Sequence, residues 1–160
     1  NDAYHFDLVR PGMALYGLNP TPDSANPMHA VVSVTVPVIR LRLVYKDATV
    51  GYGATYHFEK DSWLATLSAG YADGIFRALG NRGKFFWKGY PCPIRGRVSM
   101  DLTTVDLSAI PDKERPRPGD EMELLGPHQS ADALAADAGT IGYEILTALG
   151  QRYRRVYTGL

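Results

Sequence analysis

Residues 30–43 alternate. Val32, Val34, Val36 and Val38 share one side of a period of two, and Arg40 and Arg42 then interleave with Ile39, Leu41 and Leu43. A period of two over this length predicts a long, half-buried β-strand. Pro37 lies inside it and has no N–H for a ladder, which predicts an edge or a bulge. Shorter apolar runs follow at 62–68, 84–88, 92–98, 102–107, 121–125 and 152–157. Gly89-Tyr90-Pro91 reads as the turn between the second and third of these runs. The helical signal comes late. Ser130 can cap a helix over 131–138 that ends near Gly139, and 143–149 reads as a second before Gly150. Many short strands with one late helical pair predict a mainly β chain, folded as a β-barrel or closely curled sheet.

At 160 residues the chain fits one domain with a short extra piece. Residues 6–16 are apolar and strand-like, broken at Pro11-Gly12, and the Pro-, Asn-, Ser- and Asp-rich stretch after them reads as a linker. The 17 basic and 17 acidic residues cancel, so there is no electrostatic case for nucleic acid or an acidic membrane. The basic cluster Arg152, Arg154 and Arg155 reads as a solvated face of a final strand. No apolar run reaches the roughly 18–20 residues of a membrane span. The first residues do not look like a signal peptide, and a start at Asn1 without Met reads as a piece of a longer chain. A single cysteine, Cys92, cannot close an internal disulfide; it suits a reducing compartment and reads as packing. The four histidines lack metal-ligand spacing.

Five motifs carry the chemical signal: Asp7-Leu8-Val9-Arg10-Pro11-Gly12-Met13, Gly51-Tyr52-Gly53-Ala54-Thr55-Tyr56, Gly70-Tyr71-Ala72-Asp73-Gly74, Gly96-Arg97-Val98-Ser99-Met100-Asp101 and Thr140-Ile141-Gly142-Tyr143-Glu144. Locally each has a plain reading. Tyr52 and Tyr71 read as loop tyrosines packing on neighbours, Arg10 as a strand-end arginine, and Tyr143 as core.

In order and spacing the five resemble the C-terminal domain of alanine racemase, over nearly the whole chain. The resemblance implies that residues 1–17 are the last strand and loop of a pyridoxal phosphate-binding TIM barrel. Residues 18–29 would be a linker, and 30–160 the C-terminal β-barrel-like domain. It implies a cytoplasmic, homodimeric enzyme that interconverts L- and D-alanine for peptidoglycan by a two-base mechanism. Tyr52 is then one base, reaching across the dimer. Free tyrosine, with a pKa near ~10, is a poor base at neutrality, so a tyrosine in that role needs a nearby cation. Arg10 faces the pyridine nitrogen, the backbone N–H groups of Gly12 and Met13 bind the phosphate, and Tyr143 adds its hydroxyl. The Met100 N–H takes the substrate carboxylate, and Tyr71 narrows the way in beside Tyr52 and Tyr143. Arg77, Arg97 and Ile141 form the entrance, and Asp101 orients that layer as a structural partner.

The rest of the barrel and the lysine that carries the cofactor are not in this chain, so the chain alone is expected to be inactive. Two alternatives stand beside this reading. One is the racemase part of a membrane-anchored serine racemase or of a broad-specificity racemase. The other is a non-catalytic β-barrel interaction module.

Overall fold

The computed structural model describes residues 6–21 and 23–159. The first five residues of the expected barrel remnant, Pro22 of the expected linker and Leu160 lie outside the described residues. The regular elements are β1 (Val34–Val44), β2 (Thr49–Val50), β3 (Tyr56–His57), β4 (Ser62–Leu67), β5 (Lys84–Trp87), β6 (Tyr90–Pro93), β7 (Thr103–Asp106) and β8 (Glu121–Leu125), followed by α1 (Ala131–Ala138) and α2 (Gly142–Ala148).

Six strands form one sheet in the order β6-β5-β8-β1-β4-β7. An isolated bridge from Ile94, just past β6, to Val105 in β7 joins its two edges. The Arg95 N–H continues the seam to the Thr104 carbonyl at 2.9 Å. The mainly β fold is therefore a nearly closed barrel, which leaves little free sheet edge. β2 and β3 stand apart as a two-stranded ribbon.

β1 makes the closure possible. Val34 to Pro37 pair with β8, whereas Val38 to Val44 pair with β4. The register slips between Val38 and Arg40, so the strand bulges at Ile39 and turns from one partner to the other. Pro37 thus marks a bulge and not an edge: β1 is an interior strand, and the Pro37 carbonyl accepts from the Ser68 N–H at 3.0 Å. Before the bulge, Val34, Val36 and Val38 point into the core, where they meet Leu67, Phe85 and Met122. Leu134, Ala135 and Ile145 bring both helices onto the same core. α1 forms as predicted: the Ser130 hydroxyl accepts from the Ala133 N–H at 3.1 Å, and Gly139 ends the helix at φ 76°. α2 starts one residue earlier than expected.

Two readings need correction. The β5–β6 turn is Lys88-Gly89, not Gly89-Tyr90-Pro91. Both turn residues have positive φ (48° and 87°), the hairpin geometry that matches strand twist, so Tyr90 and Pro91 are already paired with Trp87 and Phe86. Residues 152–157 form no strand, because the barrel closes between Ile94 and β7 and leaves them no partner. Residues 6–12 have no ladder partner among the described residues, and a short 3-10 turn, Met13–Tyr16, follows them.

Candidate functional site

The loop between β2 and β3 carries Tyr52. Two paired residues on each side cannot hold a hairpin alone, so it is fixed from outside. Gly51 and Gly96, both at positive φ, cross backbone to backbone; a Cβ on Gly51 would lie 2.7 Å from the Arg97 nitrogen. This crossing sets the loop against Arg97. The Arg95 guanidinium lies 4.4 Å over the Tyr56 ring and donates twice, at 3.2 Å, to the buried Asp106 carboxylate. Tyr52 itself is 72% exposed, so the plain reading of a loop tyrosine packed on a neighbour fails within this chain.

Tyr71 opens a 3-10 turn, Tyr71–Asp73. The Tyr71 N–H donates to the Ser99 carbonyl and the Ala72 N–H to the Met100 carbonyl, both at 2.9 Å. That close docking needs Gly70, since a Cβ there would collide with the Ser99 carbonyl. The Ser99 N–H and hydroxyl both donate to the Leu102 carbonyl, at 3.0 and 2.8 Å, which closes a tight turn with Met100 at its tip. Among the described residues the Met100 N–H has no hydrogen-bond partner.

These segments meet in an open groove of about 440 Å³, lined by Tyr52, Tyr71, Arg77, Arg97, Val98 and Met100. Its size is in the range of small-molecule sites, and its two guanidinium groups favour an anion. Sequence reasoning missed its support. Arg152, read as part of a solvated strand face, reaches both groove turns instead. Its Nε lies 3.3 Å from Asp73 and its Nη1 donates to Asp101 at 2.7 Å. Asp73 is buried and also accepts from the Gly70 N–H at 2.9 Å. Asp101 is thus a structural partner, as expected.

The remaining expected residues gather elsewhere. Gly12 precedes the Met13–Tyr16 turn, and a Cβ on it would sit 2.6 Å from the Tyr143 hydroxyl. The Tyr16 ring stands edge-on to Tyr143 at 6.2 Å. Arg10 is exposed nearby in sequence. Among the described residues the Gly12 and Met13 N–H groups donate to nothing. The linker is anchored here by the Asn19 N–H, which donates to Asp132 of α1 at 2.9 Å. Ile141 is 64% exposed and lies beside Tyr143 in sequence, not in the groove with Arg77 and Arg97.

Cys92 is fully buried, and burial pushes its thiol up to about 12, with the Asp106 charge adding to the rise. It packs, as expected. Among the described residues no cluster of His, Cys, Asp and Glu could hold a metal, and no helix is long and apolar enough to cross a membrane.

Residues 31–157 match the family model described as alanine racemase, C-terminal domain. The chain belongs to that family. An alanine racemase of Acidiphilium cryptum is 52% identical over 94% of the chain and 41% of the relative. A catabolic alanine racemase of Rhizobium johnstonii is 50% identical over 98% of the chain and 41% of the relative. Among solved structures, alanine racemase from Bartonella henselae with covalently bound pyridoxal phosphate superposes at TM-score 0.91 and 44% identity, covering 98% of this chain and 43% of that one. Biosynthetic alanine racemase from Pseudomonas aeruginosa gives 0.89 and 38%, over 98% and 44%. The chain therefore spans about two fifths of the length of these relatives.

Proposed function

We propose that this domain completes the active site of a cytoplasmic, pyridoxal phosphate-dependent alanine racemase that supplies D-alanine for peptidoglycan. The observation that carries the proposal is the groove: an exposed tyrosine hydroxyl, two guanidinium groups and an unpaired backbone N–H converge in a chain of this family. Relatives at about half identity are named as alanine racemases, which does not favour a non-catalytic module.

Arg77 and Arg97 draw in the anionic amino acid. The Met100 N–H takes its carboxylate and Tyr71 narrows the space, which orients the Cα–H bond. The Tyr52 oxygen removes the proton from one face of Cα, or returns one to it; a second base, outside this chain, serves the other face. Ile141 belongs to the way in from the side of Tyr143.

The other group fits a phosphate. Bare Gly12 leaves room for the Tyr143 hydroxyl, and that hydroxyl with the Gly12 and Met13 N–H groups makes a donor set suited to an anion. Arg10 would hold the pyridine nitrogen by donating a hydrogen bond to it, which would leave that nitrogen an acceptor. Bound pyridoxal phosphate supplies a sink for the charge left when the Cα–H bond breaks. The domain limits at 17 and 29 follow from this assignment, with the first group facing a partner's barrel in a homodimer and the second its own.

Tyr52→Phe in the complete polypeptide tests the base. Hydrogen exchange at Cα, followed separately for each enantiomer in deuterated water, should fall about 10²–10⁴-fold for L-alanine. Unchanged L-alanine exchange would remove Tyr52 from that role.

A further inference from the structure

Asn81 lies outside every motif, yet three groove segments meet at its side chain. Its Nδ2 donates to the Thr55 carbonyl at 3.1 Å, on the hairpin that presents Tyr52. Its Oδ1 accepts from the Gly96 N–H at 2.5 Å, one residue before Arg97. Asn81 itself follows the short 3-10 turn Arg77–Leu79, whose first residue lines the groove. Both ends of one amide are used, and they bind two stretches of chain 26 and 15 residues away. The backbone favours this residue as well: Asn81 sits at φ 60°, a left-handed conformation that asparagine tolerates better than other side chains.

The hairpin needs such a tie. Gly51, Tyr52, Gly53 and Ala54 are all exposed, and the loop's own bond is a single turn contact, Ala54 N–H to the Gly51 carbonyl at 3.1 Å. Arg95 holds the Tyr56 ring from below the loop, and the Gly51–Gly96 crossing fixes one strand of it. Asn81 holds the other strand, at Thr55. A carboxylate or an aliphatic side chain could not do the same, because the tie needs a donor and an acceptor on one rigid plane.

We infer that Asn81 is a positioning residue for the proton transfer at Tyr52, holding the Tyr52 hairpin in register with Arg97 and Arg77. It touches no substrate; it acts through Tyr52. The inference rests on Tyr52 being a base, and a double-mutant cycle separates the two claims.

The experiment uses the complete polypeptide, barrel included, with Asn81→Gly and Asn81→Asp made in the unaltered and the Tyr52→Phe backgrounds. Glycine keeps the left-handed backbone and loses both bonds. Aspartate keeps the acceptor for Gly96 and loses the donor to Thr55. Asn81→Asp alone should slow Cα hydrogen exchange of L-alanine about three- to tenfold, the loss of roughly one hydrogen bond, and Asn81→Gly, which loses both, at least as much, each with a smaller effect on D-alanine. In the Tyr52→Phe background neither should slow it further. Amide hydrogen exchange should rise at Gly96 and around residues 51–55 in Asn81→Gly and stay unchanged in β1.

Full additivity with Tyr52→Phe, or equal slowing of both enantiomers, would overturn the inference and leave Tyr52 as base. Unchanged L-alanine exchange and unchanged amide protection in both Asn81 variants would overturn it too. If Tyr52→Phe itself has no effect, the base assignment falls and the inference falls with it. If Asn81→Gly does not fold, Asn81→Asp decides through the same cycle.

Discussion

Cys92 and Tyr153 show how burial sets chemistry one residue at a time. Burial lifts the Cys92 thiol to about 12, with Asp106 adding to the rise, and lifts the Tyr153 hydroxyl to about 12, with Asp73 adding and Arg152 opposing. The Tyr153 hydroxyl is buried with no hydrogen-bond partner among the described residues, so only the nearby Arg152 charge offsets the cost of its ionised form. Two outcomes are expected. In the folded protein at pH 8, Cys92 should react with a small alkylating reagent at least about a thousandfold more slowly than in denaturant, because the thiolate is the reactive form. A mass-spectrometric time course reads this, and comparable rates would show that the thiol is accessible. The linkage has a definite sign. Both groups keep their protons in the folded state to about pH 12 and lose them earlier in the unfolded chain. Their contribution is therefore intact below the unfolded values, near ~9–10, and is lost as pH rises toward 12. The urea midpoint should fall between pH 8 and pH 11.

Among the elements, the turns at 70–74 and 99–102 form one unit, and Arg152 fastens it through Asp73 and Asp101. In the complete polypeptide, Arg152→Gln should raise KM for alanine several-fold while kcat falls less, since Tyr71 and Met100 would lose their relative placement but Tyr52 would not. Arg152→Lys, which can reach one carboxylate at a time, should recover part of the loss. Equal falls in kcat and kcat/KM would place Arg152 in the chemical step instead.

What was legible in the sequence follows the range of the interaction. Alternation along β1 and the Ser130–Gly139 frame of α1 are local, and the structure keeps both. The Ile39 bulge was half legible: Pro37 announced an irregularity but not which partner strand each half of β1 would choose. The Lys88-Gly89 turn was missed because glycine's neighbour also takes positive φ, which lysine does not advertise. Tyr52, Tyr71, Arg77, Arg97 and Met100 were singled out by resemblance, and they line one groove. Their supports were not legible at all. Arg152 meets Asp101 across 51 residues and Asn81 meets Thr55 across 26, and no local pattern encodes such pairs.

At the scale of the whole molecule, the nearly closed barrel carries two chemically different groups. One is the open groove around Tyr52. The other is the Gly12–Tyr143 corner, which shares no residue with the groove's lining. They sit by opposite ends of α2: Tyr143 opens the helix, while Gly74, closing the Tyr71 turn, packs against Ala148 at its end. Seven residues of helix rise about 10 Å. In the function proposed above, one group serves the domain's own barrel and the other a partner's.

A mixed dimer tests that account most directly. One full-length chain carries Tyr52→Phe; the other lacks the cofactor-carrying lysine of the barrel. Each is inactive, or nearly so, as a homodimer. If Tyr52 works across the dimer, one site of the heterodimer holds both defects and the other holds neither. Racemase activity then returns to about half that of the unaltered dimer, for sites that act independently. If Tyr52 works within its own chain, each site keeps one defect, mixing restores nothing, and the shared-site account is wrong.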